Sequence, residues 1–388
     1  MIQDVKIGVD SISYLSRFLS DNLPRSIFLV TGKESFFSSG AHEKLNPLLA
    51  NYKYFRFSDF KENPKVEDVE RGIDLFNHHK CDLIIAIGGG SAIDMAKLIN
   101  IFHSENGEIS PFILANDLKN KVVPFVAIPT TSGTGSEATH FAVVYVKKKK
   151  YSVASRLLLP NLAIIDPTFT LSAAPDLTAV TGLDVFSQAI ESYWSINSTA
   201  ESRIYSKDAA KLAWNHLPSA VNENNRKSKE IMSKASHLAG KAINIAKTTA
   251  PHALSYGFST NLSLAHGHAV SLFLPFFMDY HIHATLENCN DARGLNWVKK
   301  TMKNIADILE VESEQLASEA VRFINSCNVT IDYKELNISK QVFEKCIGDF
   351  SEERLKNNPV KVDESIFQTL YISKFNGSEY SGFNKTGE

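Results

Sequence analysis

Residues 81–97 read CDLIIAIGGGSAIDMAK. An apolar run of strand length ends in Gly88, Gly89 and Gly90, and from Ser91 onward the apolar spacing is that of a helix. Glycines let a backbone come close to a pyrophosphate, and the first turn of a helix offers unpaired N–H groups and the positive end of its dipole. Asp94 lies in the first turns of that helix. The pattern is not G-x-G-x-x-G, so by itself it also reads as a tight turn. A second stretch of the same kind, PTTSGTGSEAT at 129–139, follows the next apolar run and offers the hydroxyls of Thr130, Thr131, Ser132 and Thr134. Two such turns on neighbouring strand ends point to a dinucleotide site.

Working outward, RSIFLVTG (25–32), VVPFVAIPTT (122–131) and LAIIDP (162–167) are further apolar runs that end at Gly, Thr or Pro. Continuous apolar strands separated by helices predict a parallel sheet covered on both faces, with ligands beyond the carboxyl ends of its strands. After about residue 170 the strand signal almost disappears, and helical patterns such as DLTAVTGLDVFSQAIESYW (176–194) and SRIYSKDAAKLAWNHLPSAV (202–221) take over. The reading is an α/β N-terminal nucleotide-binding domain over 1–168, an all-helical domain over 169–373, and a small, polar, loose tail over 374–388. AVSLFLPFFM at 269–278 is too short for a membrane span and reads as a buried helix.

Forty-one basic against forty-three acidic side chains in 388 residues leave a net charge of -2, so no global field draws nucleic acid or an anionic membrane. Any preference for a charged substrate must be built locally. Cys81, Cys289, Cys327 and Cys346 lie far apart, and the start has neither a basic nor an apolar leader region, which favours a reducing cytoplasm. The first long strand run ends in Thr31-Gly32-Lys33, with no acid at Gly32 to repel a 2'-phosphate, so NADPH is admitted as well as NADH.

In LDVFSQAIES (183–192) Asp184 and Gln188 stand four apart, on one face of a helix. KTTAPHALSYGFSTNLSLAHGHAV (247–270) holds His252 and His266, fourteen apart, which a helix-turn-helix can bring together. Just upstream of His252 come Lys247, Thr248 and Thr249, and Pro251 is placed to restart a helix and free backbone N–H groups. A lysine, two hydroxyls and free amides are the parts of a site for a phosphate-like group. Arg203 is a second candidate for that anion, or a solvated surface arginine.

From about residue 25 to 360 the sequence resembles the iron-containing (group III) alcohol dehydrogenases, through GGGSAIDMAK, PTTSGTGSEAT, LLPNLAIIDPTFTLSAAPDLTAVTGLD (158–184), the block around His252 and His266, and RLKNNPV (354–360). The resemblance implies a dehydroquinate-synthase-like fold, a homodimer, and one divalent metal, iron or zinc, held at Asp184, Gln188, His252 and His266. Gln188 stands where the family has histidine, and Tyr256 where it has a further one. A glutamine ligates through its amide oxygen, more weakly than imidazole. The implied reaction is metal-assisted hydride transfer between nicotinamide and an aldehyde, with His268 or Tyr256 passing the proton. Lys150 sits where the family's hairpin approaches the cofactor. AINIAKTTAPHALSY (242–256), AHGHAV (265–270) and SQAIESYWSINST (187–199) resemble the phosphonoacetaldehyde reductases of that family, which implies a small anionic aldehyde as substrate. The alternatives are a reductase of another short-chain aldehyde, a dehydroquinate-synthase-like lyase, and a nucleotide-binding protein whose metal site has decayed.

Overall fold

The computed structural model describes residues 3–105, 107–115, 121–147 and 149–375. The chain divides into two units, Met1–Ala173 and Ala174–Glu388. In the first unit β1 (Asp4–Ile7), β2 (Ile27–Thr31), β3 (Tyr54–Phe57), β4 (Leu83–Gly88), β5 (Phe125–Pro129) and β8 (Leu162–Ile165) form a parallel sheet. Their order is β1-β8-β5-β4-β2-β3. A separate antiparallel hairpin pairs β6 (Phe141–Val146) with β7 (Lys149–Ala154).

The four apolar runs of the sequence become the four central strands, and every residue in them is buried. Alternation sorts them between two cores. Phe28, Val30, Ile84 and Ala86 pack on one face, Ile27, Leu29, Ile85 and Ile87 on the other. The edge strands β1 and β3 keep exposed residues, so their sequences, DVKI and YFRF, carry no apolar run. All sheet pairings are parallel, which places the carboxyl ends of β4 and β5, with the two glycine-rich turns, side by side.

The second unit is built on helices around the Pro175–Trp194 helix, in which every residue from Gly182 to Trp194 is buried. A helix surrounded by protein should be apolar all round. This one carries Asp184, Gln188 and Glu191, and each must find a partner inside. The stretch 269–278 is buried but is not one helix. His266–Ser271 ends, and Leu274–Ile282 begins with Pro275 in its first turn, where a missing N–H costs nothing. The closing helix, Glu364–Phe375, runs into the expected tail, of which residues 376–388 lie outside the described residues. Among the described residues no helix is long and apolar enough to cross a membrane.

His281, in the Leu274–Ile282 helix, is fully buried edge-on to Trp194, with ring centroids 4.5 Å apart. Its Nε2 accepts from Asn358 Nδ2 at 3.1 Å, and burial pushes its pKa down to about 3. The unfolded chain takes this proton near pH 6.5 and the folded chain does not, so the folded state loses stability as pH falls below about 6.5, by up to ~1.4 kcal/mol per unit. Denaturant titrations at pH 7 and pH 5 should show this loss, and His281→Gln should show a smaller one.

Candidate active site

Three helices converge on one spot in the second unit. The Pro175–Trp194 helix brings Asp184, the Ala250–Leu262 helix His252 and the His266–Ser271 helix His266, with candidate ligand atoms all within 4.8 Å of one another. Gly267 makes the approach possible, since a Cβ there would lie 1.9 Å from the Val180 carbonyl oxygen and 2.9 Å from the Asp184 nitrogen. Gln188 donates from Nε2 to Asp184 Oδ2 at 3.0 Å, one turn along the helix. Its Oε1 is buried and has no hydrogen-bond partner among the described residues. A buried acceptor without a donor is costly, and a cation satisfies it. One carboxylate, two imidazoles and an amide oxygen form a donor set that fits a divalent ion such as iron or zinc.

Behind the cluster stands Glu191, which sequence reasoning missed. It is fully buried, seven residues beyond Asp184 and hence on the same helix face. Its Oε1 pairs with His252 Nδ1, while His252 Nε2 lies 3.2 Å from Asp184 Oδ1. Glu191 Oε2 accepts from the Thr249 N–H at 2.7 Å, the Thr249 hydroxyl at 3.0 Å and the His252 N–H at 3.4 Å. A carboxylate on the outer nitrogen of a ligating histidine fixes the tautomer and the ring's direction. Burial alone would raise the Asp184 carboxyl, but hydrogen bonds from His252 and Gln188 and the charges of both histidines hold it below the usual range. For His252, burial works downward and the two carboxylates outweigh it, raising it to about 9.

Beside the cluster, cations gather. Lys247 closes the Arg226–Ala246 helix at φ 64°, ψ 172°, a conformation normally left to glycine. Burial and the nearby Arg354 guanidinium both pull its pKa below the ordinary lysine value, with Glu353 opposing. Arg354, in the RLKNNPV stretch, donates to the Thr248 hydroxyl, and Asn357 Nδ2 donates to the Thr248 carbonyl at 2.9 Å. The Arg354 guanidinium lies 5.6 Å from the Tyr256 ring centroid, and the Tyr256 and His266 ring centroids are 6.4 Å apart. Arg354 is the second residue that sequence reasoning left without a role; its four-residue helix carries no periodic signal.

Several expectations need correcting. Thr248 and Thr249 are buried and committed to protein partners: Thr248 holds Arg354, and Thr249 is bound to Glu191 and accepts from Trp194 Nε1 at 2.8 Å. His268, two positions past His266, faces another way on its helix and gives its Nε2 to the Thr330 carbonyl at 2.7 Å, so that nitrogen is already engaged by the protein. Arg203 is half-buried and engaged by protein groups rather than free in solvent. Its guanidinium stacks on Tyr193 at 4.0 Å and Trp297 at 4.9 Å and donates to Thr301 at 3.2 Å.

In the first unit the glycine turns pack against each other. A Cβ on Gly90 would lie 2.6 Å from Thr134 Oγ1, and one on Gly88 would lie 3.2 Å from the Gly32 nitrogen. Gly89 caps the Gly90–Phe102 helix, a fit for a phosphate at a helix N-terminus. Thr130 Oγ1 is buried with no hydrogen-bond partner among the described residues, and Thr131 and Ser132 are half-buried beside it. Ser91 takes part through Oγ, which accepts from the Asn63 N–H at 3.2 Å. Asp94 instead turns into the fold, accepting from the Ser136 hydroxyl and from the Val143 N–H at 3.0 Å, so it anchors the loop and hairpin rather than a cofactor. Lys150 pairs with Tyr145 across the hairpin, within electrostatic reach of Asp94. Lys33 is exposed.

Two substitutions test the cluster by metal titration of the stripped protein. Glu191→Gln should weaken the affinity for Zn²⁺ by about 10- to 100-fold, the usual effect of losing such an outer partner. Gln188→His should tighten it, because imidazole replaces an amide oxygen. Unchanged affinity in both variants would place the metal elsewhere.

Residues 3–167 match the family "iron-containing alcohol dehydrogenase", and residues 178–375 match its C-terminal domain. The chain is 30% identical over 334 residues to long-chain-alcohol dehydrogenase 1 of Geobacillus thermodenitrificans, covering 84% of this chain and 83% of that one. The crystal structure of sulfoacetaldehyde reductase from Bifidobacterium kashiwanohense in complex with NAD+ superposes with a TM-score of 0.86 at 28% identity, covering 97% and 98% of the two chains. An iron-containing alcohol dehydrogenase from Thermotoga maritima does so with a TM-score of 0.81 at 28% identity and the same coverage. This chain belongs to the iron-containing alcohol dehydrogenase family and is an oxidoreductase that works with a nicotinamide cofactor and a divalent metal.

Proposed function

We propose that the enzyme reduces a small anionic aldehyde, phosphonoacetaldehyde, to 2-hydroxyethylphosphonate with NADPH or NADH. One observation carries this reading: Lys247 is held at a strained φ of 64° with its half-buried side chain close enough to Arg354 to feel its charge. Backbone strain of roughly 1–3 kcal/mol and two mutually repelling cations, whose repulsion Glu353 offsets only in part, are costs beside which a bound anion is favourable. A phosphonate near neutral pH approaches two negative charges, whereas a sulfonate carries one. Two cations therefore favour the phosphonate. Fold likeness to a sulfoacetaldehyde reductase supports the same substrate class, a short aldehyde ending in a tetrahedral oxyanion.

When bound, the nicotinamide supplies the hydride, and the divalent cation at Asp184, Gln188, His252 and His266 polarises the aldehyde oxygen. The chain does the rest. Lys247 and Arg354 bind the anionic end, while Thr248 and Asn357 keep Arg354 in place. Glu191 holds His252 in one orientation. With His268 Nε2 tied to Thr330, Tyr256 is the residue that passes the proton from its hydroxyl, its ring centroid 5.6 Å from the Arg354 guanidinium and 6.4 Å from the His266 ring centroid. The reading includes a cytoplasmic homodimer: the described cysteines are unpaired, and the exposed edge strand β1 is flanked by half-exposed Val9 and Tyr14.

The test is steady-state oxidation of NADPH and NADH with phosphonoacetaldehyde, sulfoacetaldehyde and propanal. Phosphonoacetaldehyde should give the highest kcat/KM. Lys247→Ala and Arg354→Ala should each raise its KM by roughly 10- to 100-fold, as expected for a lost charged hydrogen bond of ~1.5–3 kcal/mol, while sparing propanal. Equal losses on propanal would remove the anion pocket. No nucleotide consumption with any aldehyde would favour the lyase alternative.

A further inference from the structure

The glycine turn that opens the Gly90–Phe102 helix follows β4, and the strand beside β4 on the side away from β5 is β2, paired so that Thr31 lies opposite Ile87. In dinucleotide-binding sheets the end of such a neighbouring strand reads the 2' position of the adenosine ribose. A carboxylate there holds the 2'-hydroxyl and repels a 2'-phosphate, and an arginine nearby accommodates the phosphate. In this chain β2 ends in Thr31-Gly32-Lys33. The first carboxylate, Glu34, is exposed and makes no side-chain cap bond to the short helix that follows.

Arg56, on the edge strand β3, reaches across to this strand end. Its Nε donates to Thr31 Oγ1 at 2.8 Å, and its Nη2 donates to the carbonyls of Gly32 and Lys33, both at 3.1 Å. The guanidinium also lies over the rings of Phe36 at 4.8 Å and Phe37 at 4.9 Å. These contacts fix the plane of the fork. The Nη1 end takes no part in them, and Arg56 remains exposed. An oriented guanidinium beside a strand end whose residues Thr31, Gly32 and Lys33 carry no acid is suited to a phosphate.

We propose that Arg56, assisted by Lys33, forms a subsite for the 2'-phosphate of the cofactor and makes the enzyme selective for NADP(H) over NAD(H). The inference rests on reading the glycine turns as the dinucleotide site. The experiment is equilibrium titration of the full chain with NADPH and NADH, followed by cofactor fluorescence, with displacement of NADPH by adenosine 2',5'-bisphosphate and by 5'-AMP.

The wild type should bind NADPH at least tenfold more tightly than NADH, and the 2',5'-bisphosphate should displace it better than 5'-AMP. Arg56→Ala should erase that advantage while leaving the Kd for NADH unchanged, and Lys33→Ala should reduce it. Equal affinity of the wild type for both cofactors overturns the proposal and leaves the dinucleotide site standing. So does an Arg56→Ala protein, shown folded by an unchanged melting temperature, that loses both cofactors equally, because Arg56 is then only a clip for β2. Binding of neither cofactor to the wild type overturns the reading of the glycine turns itself.

Discussion

The second unit depends on one carboxylate oxygen. Glu191 Oε2 receives the N–H of Thr249, its hydroxyl and the N–H of His252, and so caps the Ala250–Leu262 helix from a different helix. That helix cannot cap itself: Thr249 makes no side-chain cap bond, and Pro251 has no N–H to give. A full negative charge at a helix N-terminus is also favourable to the dipole. Once Glu191 fixes where the helix begins, the turn at Lys247–Thr249 is fixed too. His252 then has its Nδ1 against the other oxygen of the same carboxylate. Cap, cation pocket and ligand orientation are one arrangement.

This explains what was legible in the sequence and what was not. The four central strands could be read because a strand with neighbours on both sides and helices on both faces has no solvent-facing position. The edge strands DVKI and YFRF keep polar residues outside, and the hairpin lies apart from the sheet. Asp184, Gln188, His252 and His266 could be named because spacing and resemblance both marked them. Glu191 sits at the i+7 position of the same face, yet a glutamate in an otherwise ordinary amphipathic pattern reads as a solvent residue unless the whole helix is known to be buried.

The misplaced residues share a cause. Thr248, Thr249 and Asp94 were read as pointing to ligands because hydroxyls and carboxylates next to a site are the groups that bind ligands. A turn that places charges in a protein interior first has its own polar groups to satisfy. Thr249 serves Glu191, Thr248 serves Arg354, and Asp94 serves Ser136 and the hairpin. Arg354 was hidden for the complementary reason. Its stretch is far from Lys247 in sequence, and only the tertiary fold brings the two cations together.

Charge balance separates the two buried polar clusters and bears on the glutamine. Lys97 is buried in the first unit, donating to the carbonyls of Ser136 at 2.6 Å, Thr139 at 2.8 Å and Phe141 at 2.9 Å, with Asp94 and Glu137 acting on its charge. Burial pulls it down to about 8, and it is still largely protonated at neutral pH within an acidic shell the protein itself supplies. Around His252 the balance is different. Asp184 and Glu191 place two buried carboxylates against the imidazoles of His252 and His266, so with both rings neutral the cluster carries two negative charges. A divalent cation with a neutral His252 closes that count. Gln188 is neutral, as imidazole is, so the replacement leaves the count unchanged while giving up ligand softness. The charge a divalent ion would balance, with both imidazoles neutral, is therefore the same with glutamine at 188 as with histidine.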